Sequence, residues 1–436
     1  MNRLITFFAY IAFVASSALA HDFEVGGIYY VKNSDGTSVS VSYRGTSYSQ
    51  YSNEYSGSVN IPPSVTSSGV TYSVTSIGSS AFSHCEGLKS VTIPNSVTSI
   101  GSYAFWGCSG LMSVSIGNSV TTIFDYSFSD CSGLTSIEIP HSVSKIFPRA
   151  FDGCSGLTSV TIPNSVTSIY SSAFSDCSGL TSIVVEQGNT MYDSRNNCNA
   201  IIESSTNKLM LGCQNTVIPS SVSSIDDNAF AGCSGLTSVT IPNSVTSIGQ
   251  CAFYGCSGLT SIDWNAKNSE IYFVLDDRVF LFGENTSVKT VVFGEDVEHI
   301  PEGVCCGLGG LKSVTIGSGV NSIGDYAFEN CKELITVTNN ALTPQRINAT
   351  VFNGVDVSYC TLLVPEESFD FYNHVTYWKD FFVKINSVEG VEVDEATKEV
   401  EGYYDLKGIR LEEPIRGQVN IVRYTDGTSQ KAVVKE

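Results

Sequence analysis

Apolar positions along most of this chain recur in a fixed order that fits neither one long helix nor one long strand. In Leu88-Lys-Ser-Val91-Thr-Ile93-Pro-Asn-Ser-Val97-Thr-Ser-Ile100-Gly-Ser-Tyr-Ala104-Phe105-Trp-Gly-Cys108 the spacing changes within a single unit. Val91 and Ile93 alternate with polar residues, Pro-Asn-Ser follows, and a short Ala-Phe-x-x-Cys segment runs into a Ser-Gly corner. The pattern predicts strand, turn, then a short helical or irregular return. The leading leucine recurs at Leu111, Leu134, Leu157 and Leu180, again at Leu236 and Leu259, and again at Leu311 and Leu334, with a period of 23 inside each run. One such unit cannot bury its own apolar face, whereas stacked units set each Leu, Val, Ile and Phe against its copy. The expected architecture is therefore an α/β-type repeat solenoid, a strand-rich parallel sheet with short helical or irregular returns.

Two units are longer, 33 residues from Leu180 to Cys213 and 29 from Leu259 to Val288. Both keep the strand and lose the Ala-Phe-x-x-Cys return. In its place residues 191–211, with Ala200-Ile-Ile and Lys208-Leu-Met-Leu, and residues 271–282 each read as two short strands around a polar turn, a hairpin projecting from the stack. Counting degenerate turns gives about thirteen, or about 60 Å of stack at roughly 4.8 Å per strand. The expected organisation is a leader at 1–20, an N-terminal β cap and first degenerate turn at 21–75, and a solenoid at 76–359 with insertions near 186–212 and 265–287. A C-terminal cap at 360–386 and a β tail at 387–436 complete it. Caps are needed because an open end would expose core and unpaired strand edge. In the C-terminal cap, Phe369, Tyr372, Trp378 and Phe382 suggest a covering helix over residues 366–382.

With Ile-Pro-Asn-Ser-Val-Thr-Ser-Ile-Gly and Ala-Phe-x-x-Cys-x-Gly-Leu repeated over roughly residues 25–385, the chain resembles the BspA-like branch of leucine-rich-repeat proteins. The resemblance implies a leucine-rich-repeat solenoid on secreted and surface proteins of host-associated microbes, where members are associated with adhesion to host matrix proteins and other cells. It implies no reaction. The tail, with Tyr404-Asp-Leu-Lys-Gly-Ile-Arg-Leu and a closing Lys431-Ala-Val-Val-Lys, resembles C-terminal sorting segments of Gram-negative secreted proteins. It departs from them where Gly417-Gln-Val-Asn-Ile-Val lacks the usual Tyr, so a plain β-rich end domain stands beside the sorting reading.

Residues 1–20 read as a signal peptide. Arg3 gives the positive start, an apolar run follows, and Ala18-Leu19-Ala20 forms the cleavage site, with no later run long enough to span a bilayer as a helix. Losing Arg3 leaves 22 basic against 43 acidic side chains, a net charge of −21 that disfavours nucleic acid and anionic lipid.

The fourteen cysteines of a secreted chain would ordinarily suggest disulfides. Cys85, Cys108, Cys131, Cys154 and Cys177 stand 23 apart, however, as do Cys233 and Cys256, with Cys331 in the same slot. Equivalent side chains in a stack point in parallel, which suits buried thiols better than bridges. Cys198 and Cys213, flanking the first insertion, remain a disulfide candidate. No Cys-x-x-Cys occurs and His21, His84, His141, His299 and His374 are scattered, so no metal or other cofactor is expected. Catalysis would need a local break in the repeat pattern. Asp125, Asp130, Glu138, His141 and Arg149 supply one, but on different faces by register. Gly307-Leu-Gly309-Gly310 leads straight into a repeat strand and is a corner, not a phosphate loop. The chain is therefore read as a non-enzyme.

One slot stands out. The glycine after the second Ile (Gly78, Gly101, Gly249, Gly324) becomes Phe124, Phe147 and Tyr170 on three successive turns, predicting rings stacked about 5 Å apart. Tyr126 and Arg149 share another register two positions on. These five residues either stabilise the stack or form a contact strip for a sugar chain or peptide. The outer strand positions (Ser90, Thr92, Ser113, Ser115, Ser159, Thr161, Ser238, Thr240, Ser313, Thr315) predict a hydroxyl-rich face, explained by strand propensity or by ordered water as in ice-binding solenoids. The functional expectation is a secreted or surface binding protein, on the extracellular side of a Gram-negative outer membrane, presenting its face to a protein or glycan. A passive structural component is the alternative.

Overall fold

The computed structural model describes residues 20–45, 47, 53–170, 172–271, 280–283, 285–386, 400–404, 410–413, 419–424 and 429–433. Residues 1–19 of the expected leader lie outside these, as do 272–279 of the second insertion. The chain forms two compact units, residues 1–262 with 269–288 and residues 263–268 with 289–436.

The first unit opens with the expected β cap, an antiparallel meander of Phe23–Val25, Ile28–Lys32 and Ser38–Ser42. Its last strand pairs in parallel with Val70–Ile77, which starts a ladder of two-residue strands at Ser99–Ile100, Thr122–Ile123, Lys145–Ile146 and Ser168–Ile169. Pattern reading missed this second strand of each turn, because two residues are too few to display an alternation. The main strands pair in parallel at Gly57–Asn60, Leu88–Thr92 and Ser113–Ser115, and again at Ser159–Ile162 and Ser182–Val185. From Leu88–Thr92 onward partners are 23 residues apart, as Val91 with Val114 and Val160 with Ile183, so the period is the register. Between the two runs, residues 135–139 join neither ladder.

The core is a column of like against like. Phe82, Phe105, Phe128, Phe151 and Phe174 stack with ring centroids 4.9, 5.0, 5.3 and 4.9 Å apart, flanked by the buried leucines and by Val97, Val120, Val143 and Val166. The returns are irregular, not helical. Each regular return carries two residues with left-handed backbone four positions apart, such as Tyr103 and Gly107, Tyr126 and Asp130, or Arg149 and Gly153. Gly and Asp tolerate that conformation, which explains the glycine before several of the cysteines.

The insertions correct the sequence reading. Tyr192–Asp193, Ala200–Glu203 and Lys208–Gly212 form a three-stranded antiparallel meander whose last strand pairs in parallel with Ser224–Ile225. It is built into the wall and does not project, because Ala200, Ile201, Ile202 and Leu209 are apolar and fully buried. In the second insertion Phe282 stacks on Phe253 at 5.3 Å, and the Phe253 N–H donates to the Leu281 carbonyl. Leu281-Phe282 thus occupies the Ala-Phe slot that the sequence was expected to have lost.

In the second unit Thr290–Phe293, Ser313–Ile316, Thr336–Asn339, Thr361–Val364 and Phe382–Ile385 run parallel in that order, and His299–Ile300 pairs with Ser322–Ile323 as a short second ladder. The expected covering helix is one turn of α-helix, Phe369–Tyr372, between 3-10 turns. Tyr372 and Trp378 are fully buried, their polar atoms donating to the carbonyls of Ala341 (3.0 Å) and Gln345 (2.8 Å). Phe381 is the buried partner, whereas Phe382 begins an edge strand and faces out. The tail's Val400–Tyr404, Arg410–Leu411, Val419–Tyr424 and Ser429–Val433 pair antiparallel, as expected for a β domain.

Candidate binding surface

The three aromatic replacements of glycine meet as the register requires. Their backbone N–H groups donate to Ile100, Ile123 and Ile146 of the preceding turn at 3.1, 3.0 and 3.0 Å, which fixes each ring above the last. Phe124 and Phe147 stack at 5.1 Å and Phe147 and Tyr170 at 4.9 Å, tilted by 28° and 25°. Phe124 and Phe147 are half-buried, and Tyr170 is 43% exposed. Stacked in this way, the middle ring, Phe147, offers solvent mainly its edge, since both its faces are in contact with its neighbours.

Two positions further on, the return carries a second ladder. Tyr103 and Tyr126 stack at 4.8 Å and 8°, Trp106 meets Tyr103 edge-on at 5.6 Å, and the Arg149 guanidinium stands 5.8 Å over the Tyr126 ring. Tyr126 and Arg149 thus lie one above the other, as their register predicted. Tyr103 and Trp106 were missed, although Tyr103 is 23 residues before Tyr126 and counting alone would have found it. Tyr103, Tyr126 and Arg149 hold φ of 59°, 55° and 54°. This conformation costs a non-glycine residue about 1–2 kcal/mol.

Carboxylates edge this face. Asp130 accepts from Trp106 Nε1 at 3.0 Å, Asp125 accepts from Ser102 Oγ at 2.6 Å, and Asp152 lies 3.9 Å from Arg149. Burial pushes the Asp152 carboxyl up to about 6. Arg149 opposes that shift, and the charges of Asp176 and Asp130 add to it.

The residues considered for catalysis are not brought together. His141 Nε2 and the Asn164 N–H both meet the Glu186 carboxylate, at 3.0 and 3.1 Å, in a clip between turns, while Asp125 and Asp130 bind Ser102 and Trp106. Glu138 is exposed beside an open groove of about 530 Å³ lined by Thr92, Pro94, Val114 and Asn118. Among the described residues no group of three or more His, Cys, Asp or Glu could hold a metal ion. No helix among them is long and apolar enough to cross a membrane.

The cysteine column is buried and hydrogen-bonded. Cys108, Cys131, Cys154 and Cys177 donate through Sγ to the carbonyls of Phe82, Phe105, Phe128 and Phe151 at 3.0–3.2 Å. Each thiol ties its turn to the preceding one, a role the sequence did not disclose. Burial raises their pKa values, that of Cys256 to about 12. Cys198 and Cys213 are buried free thiols. On the outer strand face Thr92, Ser113, Ser115, Ser159, Thr161, Ser238 and Thr240 are exposed, whereas Ser90, Ser313 and Thr315 are half-buried. The flat hydroxyl face expected from sequence is interrupted where residues 135–139 leave the ladder.

Comparison with known proteins places this geometry. A crystal structure of a leucine-rich repeat protein from Bacteroides ovatus is similar at 25% identity and a TM-score of 0.52, covering 84% of this chain and 99% of that one. The pneumococcal vaccine antigen PcpA shares the fold at 20% identity and a TM-score of 0.53, covering 85% and 99%. No curated protein sequence matches. The family model for the BspA type leucine rich repeat region, in six copies, matches residues 51–199, 200–335 and 277–401. With the repeat register, the buried Phe and Cys columns and this match in agreement, the chain belongs to the BspA-type leucine-rich-repeat family.

Proposed function

We propose that this chain is a secreted or cell-surface binding protein, adhesin-like, that presents the corner and return of its aromatic turns to an extracellular protein or glycan. The observation that carries the reading is the replacement of glycine by Phe124, Phe147 and Tyr170 in a slot where glycine serves the same fold at Gly78, Gly101 and Gly249. The rings are not needed to close the turn, yet they form an apolar strip rimmed by polar groups, the composition of an interaction site. Tyr126 and Arg149 extend the strip. The leader and the acidic surface fit an extracellular place, and the β tail fits a sorting or attachment segment on a Gram-negative outer membrane. The scaffold is read as non-catalytic, since its unusual acid, His and Arg residues are dispersed, with Asp125, Asp130 and His141 acting as separate links between turns.

The mature chain, probed against a glycan array and a panel of matrix proteins, is expected to bind selectively. The triple variant Phe124→Gly, Phe147→Gly, Tyr170→Gly should lose that ligand and keep its melting temperature. Binding that persists in the variant makes the strip structural, and a wild-type chain without a selective partner makes the protein a passive surface component.

A further inference from the structure

We propose that the return face built from Tyr103, Trp106, Tyr126 and Arg149, edged by Asp130 and Asp152, receives an arginine- or lysine-bearing segment of a partner protein. The inference rests on the reading of this region as a contact surface, since Tyr126 and Arg149 belong to both, and it names the chemistry of what binds.

Three independent features converge. The first is geometric. The chain's own guanidinium already stands over this ladder, Arg149 lying 5.8 Å above the Tyr126 ring with its side chain half exposed, so the register accommodates a planar cation on an aromatic face. The second is conformational. The same left-handed position holds Ser80, Ser172, Asn228, Cys251 and Gly303 on other turns and a single Tyr326, and among the described residues bulky side chains follow one another there only at Tyr103, Tyr126 and Arg149. Small residues and Asn suit that backbone, so consecutive bulky residues point to a use for the side chains outside the fold. The third is charge. Asp125, Asp130, Asp152 and Asp176 face this region against the single guanidinium of Arg149, with the His84 ring 4.4 Å from Trp106. Four carboxylates against one guanidinium leave the region net acidic even with Arg149 in place. A cationic segment gains from rings and carboxylates together, whereas a neutral sugar gains nothing from the charge.

The protein carries its own reporter. Trp264 and Trp378 are fully buried, and Trp106 is the half-exposed third tryptophan. The full mature chain is titrated with an extended peptide of alternating Ser and Arg, and with the same peptide carrying citrulline in place of each Arg. The arginine peptide should perturb the Trp106 emission and bind at least about tenfold more tightly than the neutral one, with affinity falling as salt rises. The double variant Tyr103→Asn, Tyr126→Asn removes the rings while keeping residues that accept a left-handed backbone. It should lose about tenfold in affinity and keep its melting temperature. Asp130→Asn with Asp152→Asn should lose a similar factor without touching a ring. Equal binding of the citrulline peptide, or full affinity in the tyrosine variant, overturns the inference. If the glycan and matrix panel yields a ligand lost on glycine substitution while the arginine peptide fails to bind, only the cationic assignment falls. If neither binds, both readings fall.

Discussion

Two stacks of aromatic rings run along the same turns of the first unit, and they differ in what holds them. In the core, Phe105, Phe128 and Phe151 stand 5.0 and 5.3 Å apart with planes within 4° and 2°. At the corner, Phe124, Phe147 and Tyr170 stand 5.1 and 4.9 Å apart but tilt by 28° and 25°. The spacing is common to both because the backbone ladder sets it. Their surroundings are not common to both, because core side chains enclose the inner rings whereas the outer rings are half-exposed. Spacing of rings in a solenoid therefore says little about their purpose; exposure, and whether other turns manage without the ring, say more. The inner phenylalanine belongs to the fold, whereas the outer slot holds glycine on other turns.

The strongest way to break this contrast is in the inner column. Phe128→Ala leaves a void between two rings that cannot collapse without shifting both turns, and should cost about 3–5 kcal/mol in urea denaturation. Because neighbouring turns share one column, the loss should also broaden the transition. A cost near 1 kcal/mol would mean the column is not a continuous core.

A smaller effect is expected on the surface between the stacks. The Asp152 carboxyl has a folded pKa of about 6 against an ordinary value of 3.8, so the fold favours its protonated form. The stability associated with that proton is complete below pH 3.8 and is lost as pH rises through 6. Asp152→Asn should therefore stabilise the chain by about 1–2 kcal/mol at pH 7 and give no advantage at pH 4. Glu54, pushed up to about 7 by burial, moves in the same direction, so the measurement is the difference between variant and wild type across the pH range. A variant no more stable than wild type at pH 7 would show that Arg149 neutralises Asp152.

How far the sequence foretold these features depends on whether they are properties of the repeat or of the backbone path. Register, the Phe and Cys columns and the corner strip follow from counting in steps of 23. The second strand at Ser99–Ile100 did not show, because its two residues carry no periodicity. Nor did the burial of the first meander, since Ala200-Ile-Ile and Leu209-Met-Leu reveal that a face must be covered but not by what. In the C-terminal cap the one-residue choice of Phe381 over Phe382 turns on where a strand begins, the least legible boundary in any chain. Trp106 was overlooked because its outward direction depends on the left-handed residues flanking it.

The thiols sharpen the picture at about 1–2 kcal/mol. Cys154→Ala removes one buried sulfur and its bond to the Phe128 carbonyl, and should cost about 1–2 kcal/mol. With the native chain, a thiol reagent should react quickly at Cys251 alone, the one cysteine that is not buried, and with all fourteen after unfolding. Rapid labelling of the ladder cysteines in the native state would mean that the returns open readily.

The smallest effect should be at the corner. Phe147 loses two ring contacts when replaced by glycine, each worth about 0.5–1.5 kcal/mol when well enclosed. Here the edges are solvated before the substitution, and the glycines of the same slot, Gly78, Gly101 and Gly249, make the same backbone hydrogen bond to the preceding turn. Phe147→Gly should therefore cost less than about 1 kcal/mol, several times less than Phe128→Ala, though the two rings are four registers apart on neighbouring turns. Should the two costs prove equal, the outer stack is a second beam of the fold, and the reason to regard its rings as a contact surface disappears.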